Sequence, residues 1–189
     1  HGKMHKAPLI ARMQLQAGAV GVCVQKVAEA EAMGAGGIND VFISNQVLSV
    51  AKLRRVAALA HQLHVRGGQL AIAVDSAEGV ERLAQAMLLT KAVIDVFIEI
   101  DVGQGRCGVA PDERVVTLAR QIAGRTSMRF AGLQAYHGGA QHLRTVAERH
   151  AAIVAAAAKV NDVRRLLEAA ELPAPLVTGA GTGTFAHEA

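Results

Sequence analysis

Short apolar runs rich in Val and Ile alternate along the whole chain with longer Ala, Leu, Arg and Glu stretches of helical period. This alternation constrains the fold more than any other feature, because it is the sequence form of repeated β-α units. Strands are expected over residues 19–23, 41–44, 70–74, 93–100, 130–136 and 176–177, and helices over 8–16, 27–33, 50–65, 77–89, 111–123 and 142–170. Pro111 reads as the first residue of the fifth helix, since proline fixes φ and the carboxylates of Asp112 and Glu113 favour a helix N-terminus. Strands that are apolar on both faces point to a parallel sheet covered by helices. A doubly wound sheet needs only these elements, whereas a (β/α)8 barrel needs eight strands and about 250 residues. A further strand ending near His1 raises the count, so the expected fold is an incomplete TIM-type (β/α)8 barrel with about seven of its eight strands. No linker or shift of composition divides the chain, which reads as one domain over residues 1–189 with both ends cut from a longer parent.

Composition narrows the function. Hydrophobic residues make up 51% and charged residues 19%, which supplies a large core and excludes disorder. Aromatics are only 3% and Trp is absent, so the core is built from Ala, Val, Ile and Leu, and a base-stacking nucleic-acid module is not expected. The net charge of +4 comes from scattered Lys and Arg rather than a basic run, the pattern of a solvated surface. The two cysteines, Cys23 and Cys107, form no disulfide framework and fit a reducing compartment. With no apolar run long enough to span a membrane and no signal-peptide pattern, a cytoplasmic protein without membrane or nucleic-acid partners is expected.

Chemistry in such folds sits at the C-terminal ends of the strands. There the sequence gathers Lys3, His5 and Lys6, then Gln25 and Lys26, Ser44 to Gln46, Asp75, the Asp101-to-Arg106 loop, Tyr136 with His137, and the segment from Thr178 to Thr184. The last segment, Thr178-Gly179-Ala180-Gly181-Thr182-Gly183-Thr184, lets backbone N–H groups turn inward and adds hydroxyls, as a phosphate requires. It matches neither the Walker pattern nor the full dinucleotide fingerprint. A rim lysine near a phosphate cradle suggests pyridoxal phosphate chemistry. Strand alternation would put Lys3 on the side of His1 and makes it the candidate nucleophile. Arg106 could hold a phenolate or carboxylate through its planar fork, or simply pair with Asp101. Tyr136 could touch a cofactor ring or be a core tyrosine. His61, His64, His142 and His150 read as exposed residues and Cys107 as a packed one. His5 stands where an imidazole could act as acid or base.

Taken in order, His1-Gly2-Lys3-Met4-His5-Lys6, Gly21-Val22-Cys23-Val24-Gln25-Lys26, Gly103-Gln104-Gly105-Arg106-Cys107-Gly108, Leu133-Gln134-Ala135-Tyr136-His137-Gly138 and the Thr178-to-Thr184 loop resemble the D-threonine aldolase and D-serine dehydratase family of alanine-racemase-like, fold type III pyridoxal phosphate enzymes. The resemblance runs over essentially the whole chain and implies a cofactor-binding barrel plus a smaller β domain outside these residues. It implies that Lys3 is the cofactor's lysine, that Arg106 meets the cofactor's phenolic oxygen and that Tyr136 lies at the pyridine ring. Thr178, Gly181, Thr182 and Gly183 would hold the phosphate, with His5 and Gln25 lining the pocket. It further implies a homodimer and a divalent metal (Mn, Mg or Zn) whose ligands lie outside this chain. Val24 departs from the cysteine expected there, and His187 lies too close to the phosphate loop to be the family's C-terminal metal ligand. The implied reaction is retro-aldol cleavage of a D-3-hydroxy amino acid, D-threonine or 3-hydroxy-D-aspartate, to glycine and an aldehyde. A dehydratase giving a 2-oxo acid and ammonia, and a non-catalytic pyridoxal phosphate carrier, are the alternatives.

Overall fold

The computed structural model describes residues 1–188. Elements follow in the order α1 (Pro8–Gln16), β1 (Val22–Val24), α2 (Val27–Ala35), β2 (Asp40–Ile43), α3 (Val50–Val65), β3 (Gln69–Val74), α4 (Ala77–Met87), β4 (Ile94–Glu99), α5 (Glu113–Ala123), β5 (Met128–Gln134), α6 (Val146–Ala169), β6 (Leu176–Thr178) and α7 (Phe185–Glu188). The strand order is the chain order, β1-β2-β3-β4-β5-β6. The residues group into two compact units, His1–Val96 with Ala123–Arg129, and Phe97–Ile122 with the chain from Phe130 onward.

In the first unit, β1 pairs with β2 and β2 with β3, all parallel, in the registers Val22↔Val41 and Val41↔Leu70. Val22, Val41, Leu70 and their neighbours Val24, Ile43 and Ile72 are buried, so each strand carries apolar residues to the core. The helices cover them with stripes at helical spacing: Leu53, Val56, Ala60 and Leu63 on α3, and Val80, Leu83, Ala84 and Met87 on α4. Each fully buried Leu, Ile or Val contributes about 1.5–3 kcal/mol relative to exposure. Ser76 starts α4 by accepting a hydrogen bond from the Gly79 N–H at 3.1 Å.

In the second unit, β5 and β6 are parallel, with Gly132 opposite Leu176 and Gln134 opposite Thr178. Val115, Val116, Leu118, Ala119 and Ile122 form the buried stripe of α5. The long α6 is opened by a reciprocal cap, in which Thr145 Oγ1 accepts from the Glu148 N–H at 3.2 Å and Glu148 Oε2 accepts from the Thr145 N–H at 2.9 Å.

Several expected boundaries move, each for a local reason. No strand reaches into the first described residues: residues 2–5 make a turn in which the Lys6 N–H donates to the Gly2 carbonyl at 2.7 Å. Six strands therefore stand among the described residues, not about seven, and the alternation argument for Lys3 lapses. β1 starts at Val22, and Val20, placed in a strand by its β-branched side chain, is 94% exposed. Helix α5 starts two residues after Pro111, because Asp112 accepts from the Arg114 N–H at 3.0 Å and so caps the helix. Arg114 grips the same carboxylate and lowers its pKa to about 2. The helix expected from 142 begins at Val146, where the Thr145 cap stands, and Gly138–His142 form a separate 3-10 turn.

Gly132 sits at φ +138, and a β-carbon there would come within 1.9 Å of the Leu176 carbonyl oxygen. Gly67 has a positive φ of +74 but nothing within 4 Å of its missing β-carbon. Gly67→Ala should therefore cost about 1 kcal/mol from backbone strain alone, whereas Gly132→Ala should cost about 3 kcal/mol or more, since the clash is with backbone that pairs β5 to β6. Urea unfolding of the two variants measures the difference; equal losses would mean that close approach at Gly132 does not matter.

Candidate functional site

In the first unit, the turn bearing Lys3 is tied to the end of β1 by the Gly2 N–H, which donates to the Cys23 carbonyl at 2.7 Å. A β-carbon on Gly2 would press on the side-chain ends of Met33 and Val24 at 3.2 Å, a tight fit that those side chains would have to ease. Lys3 is exposed, and its N–H donates to His1 Nδ1 at 3.1 Å. The same corner holds Ser44, whose Oγ lies 3.3 Å from His1 Nε2, and Cys23, whose thiol pKa is pushed up by burial and drawn partly back by Ser44 and the Lys3 charge. Glu29 holds the next turn by accepting from the N–H groups of Gln25 at 3.0 Å and Lys26 at 3.2 Å, and it pairs with the Lys6 ammonium at 3.8 Å. Lys3, His5 and Gln25 thus stand on two turns fixed to the C-terminal end of β1 and the start of α2.

His5 is half-buried. Its Nδ1 accepts from the Ala7 N–H at 3.1 Å, which leaves the proton of the neutral ring on Nε2. That buried Nε2 has no hydrogen-bond partner, so a donor is held ready for an acceptor.

In the second unit, the loop after β4 is built around Asp101. Its Oδ1 accepts from the N–H groups of Gly103 at 2.9 Å and Gly105 at 3.0 Å, and these bonds, Gly105's first, hold the carboxyl below its ordinary value. Asp101 spends its oxygen on its own loop and not on Arg106. The Asp101 N–H donates to the Val109 carbonyl at 2.8 Å, and a β-carbon on Gly108, at φ +96, would strike the backbone of Ile100 and Asp101 at 2.7 Å. Gln104 carries this loop to the next one, its Oε1 accepting from the Gly138 N–H at 2.8 Å. Between these anchors the Arg106 guanidinium lies 6.0 Å over the Tyr136 ring, a loose cation–π contact.

The glycine-rich segment follows β6, which is bonded to the segment leading from β5 to Tyr136 by the Ala135 N–H donating to the Thr178 carbonyl at 2.7 Å. Its N–H groups are largely in use. Gly181 donates to Thr184 Oγ1 at 3.3 Å, Gly183 to Gln141 Oε1 at 2.8 Å and Ala180 to Glu188 Oε2 at 2.6 Å. Thr182, between two pinned neighbours, is exposed. The structure thus joins Arg106 to Tyr136, and Thr178, Gly181, Thr182 and Gly183 stand on one braced loop.

Other expectations on side chains also meet the structure. His61, His64, His142 and His150 are exposed, Cys107 is half-buried, and His187 lies edge-on to His150 with ring centroids 5.6 Å apart. Among the described residues no three metal-ligating side chains come together, and no helix is long and apolar enough to cross a membrane. Sequence reasoning missed the bracing residues Glu29, Gln104, Gln141, Thr184 and Glu188, and named Asp101 only as a partner for Arg106. An Asp heading a Gly-x-Gly turn is a local signal that points to Asp101, whereas Gln141 and Gly183 meet across 42 residues and no local pattern announces them.

The model of the alanine racemase N-terminal domain family matches residues 1–188. The chain is 43% identical to a D-threonine aldolase of an Arthrobacter species and 40% identical to the 3-hydroxy-D-aspartate aldolase of Paracoccus denitrificans, in each case over all of this chain and 48% of the relative. A D-threo-3-hydroxyaspartate dehydratase of a Delftia species is 34% identical over 97% of this chain and 47% of that protein. The crystal structure of D-threonine aldolase from Filomicrobium marinum superposes with a TM-score of 0.95 at 41% identity, covering all of this chain and 50% of that one. The chain therefore spans about half the length of the relatives it matches.

The Asp101 carboxylate generates a pH prediction. Its folded pKa lies below the unfolded value, so the stability it adds is full above the ordinary aspartate pKa of about 3.9 and is lost as pH falls through the folded value. Asp101→Asn, which keeps the shape but weakens the acceptor, should cost about 1 kcal/mol at neutral pH. The gap between wild type and variant in urea midpoints should shrink as pH drops below about 4; a gap independent of pH would rule out the carboxylate's charge as the brace.

Proposed function

Since the chain belongs to the alanine racemase N-terminal domain family, we propose that it is the pyridoxal-phosphate-binding part of an aldolase that cleaves D-3-hydroxy amino acids, D-threonine or 3-hydroxy-D-aspartate, to glycine and an aldehyde. The observation that carries this reading is the identity of 43% and 40%, over the entire chain, to two proteins named as aldolases of such substrates. The dehydratase relative, at 34%, is more distant. A small-molecule substrate, a cytoplasmic location and a homodimer complete the proposal.

The residues of each unit fit the cofactor's chemistry. Lys3 supplies an exposed amine on a turn anchored to β1. Arg106 supplies a cation held beside Tyr136, and the Thr178-to-Thr184 loop supplies hydroxyls and pre-shaped backbone. His5 supplies a buried donor without a partner. When bound, pyridoxal phosphate provides an electron sink for the charge left at Cα as the Cα–Cβ bond breaks. Lys3 would hold the cofactor through its Nζ amine. Arg106 would hold the phenolic oxygen in its ionised form, Tyr136 would meet the ring, and Thr178, Gly181, Thr182 and Gly183 would hold the phosphate. Gln25 lines the pocket. With its proton on Nε2, His5 donates, to a substrate oxygen or carboxylate, and does not take the β-hydroxyl proton from that nitrogen. The divalent cation implied by the resemblance finds no ligand set among the described residues.

Two measurements test this. Borohydride reduction of the protein with pyridoxal phosphate, followed by peptide mapping, should place the label on Lys3, and Lys3→Ala should lose both the label and roughly three orders of magnitude of activity. Label on Lys26 would move the nucleophile to the end of β1, and no label would remove the cofactor. Incubation with D-threonine and with 3-hydroxy-D-aspartate should yield glycine; ammonia without glycine would replace the aldolase with a dehydratase.

A further inference from the structure

We propose that Gln141 is a positioning residue for the cofactor phosphate, a side-chain staple that sets the shape of the glycine-rich loop and its spacing from the Tyr136 segment. The proposal rests on the pyridoxal phosphate reading above and assigns a role to a residue that touches neither the ring nor the lysine.

Gln141 stands on the 3-10 turn Gly138–His142, which directly follows Tyr136 and His137. Its amide makes three contacts to two segments. Oε1 accepts from the Gly183 N–H at 2.8 Å, while Nε2 donates to Thr184 Oγ1 at 2.7 Å and, at the limit of a hydrogen bond, to the His137 carbonyl at 3.5 Å. The orientation of the amide is fixed by its partners, because a backbone N–H only donates and a carbonyl only accepts. Its far end also packs on Gly181, where a β-carbon would lie 2.4 Å from the amide. Glycine at 181 is thus needed as much for the staple as for any ligand.

Thr184 is the hub of this arrangement and is fully buried. Its hydroxyl accepts from Gln141 Nε2 and from the Gly181 N–H and donates to Glu188 Oε1, which uses its single proton and both lone pairs. Removing Gln141 would leave a lone pair of the buried Thr184 hydroxyl unmatched and release the exposed Gly183 N–H to solvent, in a segment whose three glycines are the least costly residues to disorder. A loop ordered in advance binds an anion without the entropic cost of ordering it at that moment. The consequence is selective: losing the staple should weaken binding of the phosphate end of the cofactor and leave the aldehyde end at Lys3 untouched.

Titrating the protein with pyridoxal phosphate and with pyridoxal, which lacks the phosphate, reads that selectivity as a ratio of two dissociation constants. In Gln141→Met, which keeps the length and removes the polar contacts, the preference for pyridoxal phosphate should fall about tenfold while pyridoxal binding stays within about twofold of wild type. In Gln141→Glu, which retains an acceptor for the Gly183 N–H but brings a negative charge to the loop, the preference should fall further. Should Gln141→Met not unfold cooperatively, Gln141→Glu gives the same ratio. An unchanged preference would overturn the staple, and an increased one would show that the Gln141 amide instead occupies the place of a phosphate oxygen and is displaced on binding. Wild-type protein that binds neither pyridoxal nor pyridoxal phosphate would instead refute the cofactor reading itself, which separates the two failures.

Discussion

Backbone N–H groups just beyond the strand ends have left the ladder and must find other acceptors, and the way this chain satisfies them underlies the rest of its structure. In place after place the acceptor is a side-chain oxygen. Glu29 takes the N–H groups of Gln25 and Lys26, Asp101 those of Gly103 and Gly105, Gln104 that of Gly138, Gln141 that of Gly183, and Glu188 that of Ala180. Each bond is worth only about 1 kcal/mol net. Their effect on the loops is larger than that sum suggests, because each one selects a single conformation for a segment whose glycines would otherwise sample many. The Asp101-to-Arg106 loop and the Thr178-to-Thr184 loop are thereby held to defined conformations.

The sheet imposes the complementary constraint. Where backbone segments approach most closely the positions fall to glycine: Gly132 against the carbonyl of Leu176, Gly108 against the backbone of Ile100 and Asp101. The bridge between Ile100 and Val109 returns the Asp101 loop to the strand it left. Arg106 therefore projects from a closed loop of fixed ends, and its place beside Tyr136 follows from backbone geometry more than from the weak attraction between guanidinium and ring.

How much of this was legible in the sequence depends on the range of the interaction that decides it. α1 and α3 match the boundaries read from period and flanking residues, because local pattern and tertiary burial agree there. The start of α6 was missed by four residues although Thr145 and Glu148 spell a capping box, a local signal overridden by the helical period around it. Lys3 was oriented by the alternation of a strand ending near His1, whereas residues 2–5 form a turn tied by the Gly2 N–H to the Cys23 carbonyl. Lys3, Arg106 and Tyr136 were singled out because Lys, Arg and Tyr beside strand ends are conspicuous in a chain with few lysines and one tyrosine. Gln104 and Gln141 were not, because a glutamine on a loop is ordinary until its distant partner is known.

That asymmetry has a physical reason. Groups that touch a cofactor are chosen for unusual chemistry, a nucleophilic amine or a permanent cation, and such chemistry shows in residue type. Groups that hold those residues in place need only an oxygen or an amide at the right distance, and any of several residue types can supply it. The bracing shell is therefore written in geometry, and its members, Asp101 at one loop and Gln141 with Thr184 at the other, decide whether the conspicuous residues stand where their chemistry can act.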